Sequence, residues 1–412
     1  PTFTNGDEPC AGPSETFTVT VNPTPQLNDP TDQVIFTGDS TNAVTLTSSV
    51  NGVTYSWSAN EPTGNLIGLS QSSGTSDQIP SETLINNTSG PLVLTYTITP
   101  ILDGVDCEPI IEEYTITINP AVTMVPLEDE VICNGDEVNV DFESVNSGGS
   151  TTFEWTNDTE SIGLSSSGST AGFTFTAVNN GTIPVVATIT VTPTFENGGI
   201  NSEGTAQTFT ITVNPTAQLD EVQDQVVCDA EETTLVTFTT ENTGGTTTYS
   251  WTNNTPSIGL DPTGDGDIEP FTAVNNGTSP VTATITVTPT YTNEGVSCDG
   301  PDEIFTIIVN PTGQVDDPLD QIICNGETTS VEFSTENTGG TTTYSWSNDN
   351  IAIGLADLGV GNITSFVAVN NGTSPVTATI EVTPTFTNGD ESCPGPAKTF
   401  TITVNPTGQV DP

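Results

Sequence analysis

Thr208-Phe209-Thr210-Ile211-Thr212-Val213-Asn214-Pro215 alternates polar and apolar residues for one strand's length and then stops at Asn-Pro. A period of two marks a half-buried β-strand. Proline cannot donate to a ladder, so the strand ends where the ring enters. The same stretch returns, little changed, at residues 16–23, 113–120, 304–311 and 399–406. Its Asn falls at 22, 119, 214, 310 and 405, at intervals of 97, 95, 96 and 95 residues. A repeat of that size can bury a core of its own, unlike a solenoid turn that leans on its neighbours.

The period divides the chain into the C-terminal part of a preceding repeat (1–22), four repeats (23–119, 120–214, 215–310 and 311–405) and a linker stub (406–412). This reads as a segment of a longer polypeptide. The third repeat shows the plan most clearly. Strands are expected at 225–228, 233–240 and 246–252, with Gly244-Gly245 turning between the last two. Residues 271–274 lead into the turn Asn275-Asn276-Gly277. A long strand carries Val281, Ala283, Ile285 and Val287 in alternation with Thr, and a loop precedes the closing strand. About seven short strands, no helical period and one mid-strand Trp per repeat predict an all-β chain of Greek-key sandwiches of immunoglobulin-like type. The tryptophans Trp57, Trp155, Trp251 and Trp346 read as core residues. Proline-bounded linkers predict restricted joints and an elongated rod on the order of 150 Å for four sandwiches.

The charge sets limits on function. Asp and Glu number 53 against one basic residue, Lys398, and there is no His, for a formal charge of −52. Nothing in the chain can neutralise phosphates, so nucleic acid is excluded as a partner and anionic membrane surfaces are disfavoured. No apolar run is long enough to insert into a bilayer. The acids are scattered among β-branched runs, which indicates a folded, self-repelling surface that attracts cations. Without His or Arg the usual nucleophile–base sets are missing, and no acidic pair recurs with a cleft-like placement; the chain does not read as an enzyme.

Seven cysteines follow the repeat. The early position holds Phe36, Cys133, Cys228 and Cys324; the late position holds Cys107, Ser202, Cys298 and Cys393. Pairing within repeats gives Cys228–Cys298 and Cys324–Cys393. Pairing each late cysteine with the next early one gives Cys107–Cys133 and Cys298–Cys324. A disulfide needs its Cα atoms within about 7 Å. The closing strand carries the chain away from the late loop, whereas the leading strand is expected to begin at the same end as that loop. Reach therefore favours the first scheme, Cys228–Cys298 and Cys324–Cys393, and leaves Cys107 and Cys133 single. Disulfides point to an oxidising, extracellular setting. Cys10 seeks a partner before residue 1.

Asp32, Asp129, Asp224 and Asp320 stand four residues before the early position in every repeat, joined by Asp29, by Asp220 and Glu221, and by Asp316 and Asp317. Carboxylates grouped at a junction are a candidate calcium site that would stiffen it; the competing reading is solvated linker acids and a turn-forming Asp. Asp261, Asp265, Asp267 and Glu269 form another acidic loop, without an EF-hand pattern. Asn180, Asn276 and Asn371 open Asn-Gly-Thr sequons that turn chemistry already explains. Asp39-Ser40-Thr41 matches a short O-glycosylation motif.

The order and spacing of Thr248-Tyr249-Ser250-Trp251-Thr252-Asn253, Ser257-Ile258-Gly259-Leu260, Phe271-Thr272-Ala273-Val274-Asn275 and the closing Phe-Thr-Ile-Thr-Val-Asn-Pro resemble the PKD-like repeats of very large Bacteroidota surface proteins. These are similar to gliding-motility adhesins of the SprB type, exported by the type IX secretion system. The Trp-Asp-Phe-Gly-Asp-Gly signature of ordinary PKD domains is replaced by Trp-Thr-Asn, and the first repeat diverges most. The resemblance implies a cell-surface filament or stalk that serves adhesion and gliding. Its partners would be neighbouring repeats, other copies in a filament, and external surfaces or polysaccharides reached through other regions. The rival readings are a polysaccharide-binding array, which an aromatic content of 6% disfavours, and a laterally assembled surface layer.

Overall fold

The two-residue period decides the architecture of the computed structural model, which describes residues 1–62, 64–104 and 107–408. The last four residues of the stub 406–412 lie outside that range. Each repeat is built on one main sheet. In the third repeat its strands are the leading strand Gln225–Cys228, the tryptophan strand Thr246–Asn253, the short strand Thr263–Asp265, the long strand Val281–Asn293 and the closing strand Glu303–Asn310. Across the sheet the order is leading, closing, long, tryptophan, short. Pairing is antiparallel except between the leading and closing strands, which run parallel from Gln225↔Ile307 to Cys228↔Asn310.

The fourth repeat copies this order with Gln321–Cys324, Lys398–Asn405, Val376–Asn388, Thr341–Asn348 and Leu358–Val360. The first does so with Gln33–Phe36, Glu112–Asn119, Leu92–Leu102, Val53–Asn60 and Ser73–Gly74. The second repeat carries the corresponding strands from Glu130–Cys133 to Gln207–Asn214. The chain divides into two compact units. One is Pro1–Glu130, Glu137–Thr176 and Val186–Ile211; the other is Val131–Asp136, Ala177–Val185 and Thr212–Pro412. All contacts described below lie within one unit or the other.

A second, smaller layer faces the main sheet. It is Glu137–Asp141 paired with Gly172–Thr176 in the second repeat and Thr328–Val331 with Ile363–Val367 in the fourth. In the third it shrinks to the bridges Glu232↔Thr272 and Val236↔Ile268, so the expected strand over 233–240 does not form as such. Side chains have taken backbone groups there. The Thr233 hydroxyl accepts from Phe271 N–H at 3.0 Å, and Gln225 accepts from Thr234 N–H at 3.0 Å. Local side-chain bonds of this kind compete with a ladder.

Between the layers lies a dry core, in the third repeat Trp251, Phe305, Ile285, Ile307 and Phe238 among others. The four tryptophans are 3–8% exposed. Thr alternates with these residues on the open face of the sheet.

Two other expectations are corrected. Residues 16–23 form no strand, and Phe17 is 87% exposed. In the other copies this stretch pairs with a long strand, and residues 1–22 contain none. In the third and fourth repeats the late cysteine lies not in a loop but on a return strand, Val296–Asp299 or Glu391–Pro394, folded tightly onto the end of the long strand, whereas Cys107 lies outside any strand.

The first repeat buries two tyrosines, Tyr96 and Tyr114, whose hydroxyls find no partner. Burial pushes Tyr96 from the ordinary 10.0 up to about 12, helped by Glu82 and Glu61, and pushes Tyr114 up as well. A raised folded value means that the neutral phenol is favoured in the fold. Its contribution is intact below about 10 and is lost as pH rises toward about 12. The first repeat is therefore expected to be the first to unfold in alkali, with tyrosinate absorbance rising together with amide exchange in residues 33–119. Tyr96→Phe with Tyr114→Phe should remove that weakness; unchanged alkaline unfolding in the double variant would refute the assignment.

Candidate functional site at the joints between repeats

The closing Asn-Pro is where one repeat hands the chain to the next, and its Asn is fully buried at 119, 214 and 310. A buried amide needs partners. At each joint the partner is the Asn that ends the next repeat's long strand. Asn197 Nδ2 donates to Asn119 Oδ1 at 2.8 Å, Asn293 to Asn214 at 2.9 Å and Asn388 to Asn310 at 3.0 Å. A second link is purely backbone. The loop before each long strand offers a carbonyl to the next repeat: Ser89 to Ser147 N–H at 2.9 Å, Thr182 to Thr243 at 2.9 Å and Thr278 to Thr338 at 2.8 Å. The glycines Gly148, Gly244 and Gly339 stand beside the prolines Pro91, Pro184 and Pro280. An added Cβ would come within 2.7–2.9 Å of the ring, and all three have positive φ.

The turn Asn-Asn-Gly divides its labour. Its first Asn, at 179, 275 or 370, is buried and donates to the closing strand at Val213, Val309 or Val404 C=O at 2.7 Å. The sequon asparagines Asn180, Asn276 and Asn371 are exposed beside them. Thr41, in the O-glycosylation motif, is buried and accepts from Glu82 N–H.

Two disulfides complete the site: Cys133–Cys298 and Cys228–Cys393, each with Cα atoms 5.5 Å apart and a sequence separation of 165. The intra-repeat pairs Cys228–Cys298 and Cys324–Cys393 do not form, and neither do Cys107–Cys133 and Cys298–Cys324. The reason is the parallel leading strand. It carries Cys228 level with Asn310, at the exit end of its repeat, and Val281 lies opposite Val309 there. Cys298 lies opposite Tyr291, at the other end of the long strand. About ten residues of strand, roughly 33 Å, separate the two. The early cysteine of one repeat instead meets the late cysteine of the following repeat. At the first joint both positions lack cysteine together, as Phe36 and Ser202; there Gln33–Phe36 packs against Ile200–Glu203 without a bond.

The junction aspartates each hold a backbone group of the closing strand. Asp32, Asp129, Asp224 and Asp320 each accept the backbone N–H of the closing strand, from Thr115, Thr210, Thr306 and Thr401 at 2.6–2.7 Å. Each carboxylate thus prolongs the parallel ladder just before the leading strand begins. The bond from Thr210 holds the Asp129 carboxyl below its usual range. Asp220 accepts from the Thr239 hydroxyl and Asp316 from Ser334; Asp317 pairs with Lys398, while Asp29 and Glu221 stay exposed. Among the described residues, one group of three potential ligand atoms converges, Cys228, Glu231 and Glu391, and its sulfur is in a disulfide. Asp261 and Glu269 are exposed loop residues, and Asp265 is exposed at the end of the short strand Thr263–Asp265.

Residues 34–122 match the family described as PKD-like domain. The match covers the first repeat, the one whose sequence departs furthest from the other three. No curated protein matches the chain. Among solved structures, the chain is similar to Drosophila N-cadherin EC1-4 at 11% identity, covering 92% of this chain and 99% of that one, with a TM-score of 0.30. The N-terminal eight Ig domains of Down Syndrome Cell Adhesion Molecule align at 10% identity over 93% and 49%, with a TM-score of 0.36. The human Desmocollin-1 ectodomain aligns at 11% over 94% and 79%, with a TM-score of 0.30. Among the described residues, no helix is long and apolar enough to cross a membrane.

Proposed function

We propose that this chain is a tension-bearing repeat segment of an extracellular adhesion filament or stalk on a bacterial surface. The observation that carries the reading is the pair of overlapping disulfides across successive joints. Crosslinks that skip from one repeat to the next do nothing for catalysis, but they hold a tandem array together under tension. They also require an oxidising compartment. The charge of −52 keeps such a surface soluble and self-avoiding. A role in gliding, and export by type IX secretion, rest on the resemblance to Bacteroidota surface repeats. The tryptophans are buried and cannot offer sugar-stacking faces, which counts against the polysaccharide-array reading. Partners of the segment are its own neighbouring repeats, with ligand binding placed in other regions.

Small-angle scattering on the oxidised chain tests this. The expected particle is elongated, on the order of 150 Å for four sandwiches end to end, and its dimensions should not respond to calcium chelation. A compact particle would remove the filament reading. A saturable hit on a glycan array, lost on unfolding, would favour the polysaccharide rival.

A further inference from the structure

The two disulfides repeat one arrangement, yet their sulfurs sit in different surroundings. Cys228, Cys298 and Cys393 are 0–3% exposed, whereas Cys133 is half-buried. The nearest polar neighbour given to Cys133 Sγ is neutral, the Ser297 carbonyl oxygen at 3.5 Å. Cys228 Sγ has a carboxylate instead, with Glu391 Oε1 at 3.8 Å. Glu231 joins it, so that the sulfur and one oxygen of each carboxylate lie within 4.8 Å of one another. The sequence accounts for the contrast. Glu391 stands two residues before Cys393, where Val296 stands before Cys298. The acids beside the other bond are Asp136, the counterpart of Glu231, and Asp299, whose carboxylate accepts from the Thr290 hydroxyl at 2.7 Å. Among the described residues, no pair of carboxylates converges on Cys133 or Cys298 as Glu231 and Glu391 do on Cys228.

We propose that Cys133–Cys298 is a thiol-exchange site at which a small external thiol unlocks one joint, while Cys228–Cys393 stays closed under the same conditions. This rests on the reading of the joints as covalently locked, and it adds which lock opens first. The attacking species is a thiolate, and its rate depends on which sulfur it can reach. It attacks Cys133, the most accessible of the four, and displaces Cys298, which takes up a proton. A second small thiol resolves the mixed disulfide on Cys133. Two small thiols thereby become one small disulfide, and the protein bond gains two electrons and two protons. At Cys228 the incoming thiolate meets two carboxylates of its own sign. Like charges that close slow its approach by about tenfold even where water screens them. Access and charge therefore act in the same direction. The chain's overall charge bears on both bonds and drops out of the ratio of their rates.

The test uses the full oxidised chain, its remaining thiols alkylated beforehand, with peptide mapping after cleavage at acidic residues. Before any thiol is added, mapping should find both bonds. Their absence would overturn this proposal together with the locked-array reading, a result distinct from every failure below. Under 2-mercaptoethanesulfonate, an anionic thiol, label should enter Cys133 and Cys298 about tenfold faster than Cys228 and Cys393. Cysteamine should narrow that ratio, because its ammonium group offsets the charge of the thiolate. Glu231→Gln with Glu391→Gln should speed opening of Cys228–Cys393 severalfold with the sulfonate and much less with cysteamine. Loosened packing would instead speed both reagents alike. The proposal is overturned by equal rates at the two bonds, by earlier opening of Cys228–Cys393, or by opening of both only on global unfolding. A double variant that leaves the sulfonate rate unchanged, or raises both rates equally, overturns it as well.

Discussion

Stretched to full unfolding, the oxidised chain is expected to fall short of the reduced chain by about 680 Å of contour length, at about 3.6 Å per extended residue. The shortfall follows from how the two disulfides overlap. Cys228 lies inside the loop closed by Cys133–Cys298, and Cys298 lies inside the loop closed by Cys228–Cys393. Reduced, the whole stretch from Cys133 to Cys393 can extend, to about 940 Å. Oxidised, the shortest covalent route enters at Cys133, crosses to Cys298, runs back to Cys228 and crosses to Cys393. That route contains only the stretch between Cys228 and Cys298, which limits it to about 250 Å. Single-molecule pulling with and without reductant reads the difference directly. Separate intra-repeat pairs would instead hide two independent loops, 228–298 and 324–393. Equal contour lengths in the two states would remove the mechanical reading altogether. Thermally, closing a loop of this size stabilises by up to about 5 kcal/mol in the chain-entropy view, so reduction should also lower the unfolding temperature of the third and fourth repeats.

The interlacing was not legible in the sequence, although its elements were. Period and alternation located the closing strand, the turn Asn275-Asn276-Gly277 and the tryptophans, because each is a local pattern with a local cause. The disulfide partners depend on which way the leading strand runs, and Gln225-Val226-Val227-Cys228 reads the same whether its neighbour is parallel or antiparallel. One signal was available: Phe36 and Ser202 lose cysteine together, and they are early and late positions of successive repeats. The backbone role of the junction aspartates was hidden for a related reason. Asp224 is four residues ahead of Cys228 in sequence, but its working partner is the backbone of Thr306, which only the folded sheet brings near. Recurrence marked these residues as necessary without saying whether a cation or an N–H group needed them.

The tryptophans make the larger demand on the core, and they do so jointly with a residue that the sequence reading passed over. Each indole lies flat against a glycine of the short strand. A Cβ built on Gly74, Gly168, Gly264 or Gly359 would come within 2.1–2.4 Å of Cζ2 of Trp57, Trp155, Trp251 or Trp346. None of these glycines has positive φ, so space and not backbone freedom accounts for them. In three repeats the glycine follows its Trp at the same interval, as Trp155 and Gly168, Trp251 and Gly264, and Trp346 and Gly359. Trp251→Ala should cost about 3–5 kcal/mol, a large share of what a single domain has to lose. It also frees the Gly266 carbonyl that the indole N–H now meets at 3.1 Å. Gly264→Val should cost about 1–3 kcal/mol by overpacking against the ring. If the two residues contend for one volume, the double variant will lose less than the sum of the singles, because the valine fills part of the space the indole vacates. Amide exchange resolved by repeat measures all three variants while the other repeats serve as internal references. Strict additivity would mean that glycine and indole do not share that space, and that the short strand is held against the sheet by something other than the tryptophan.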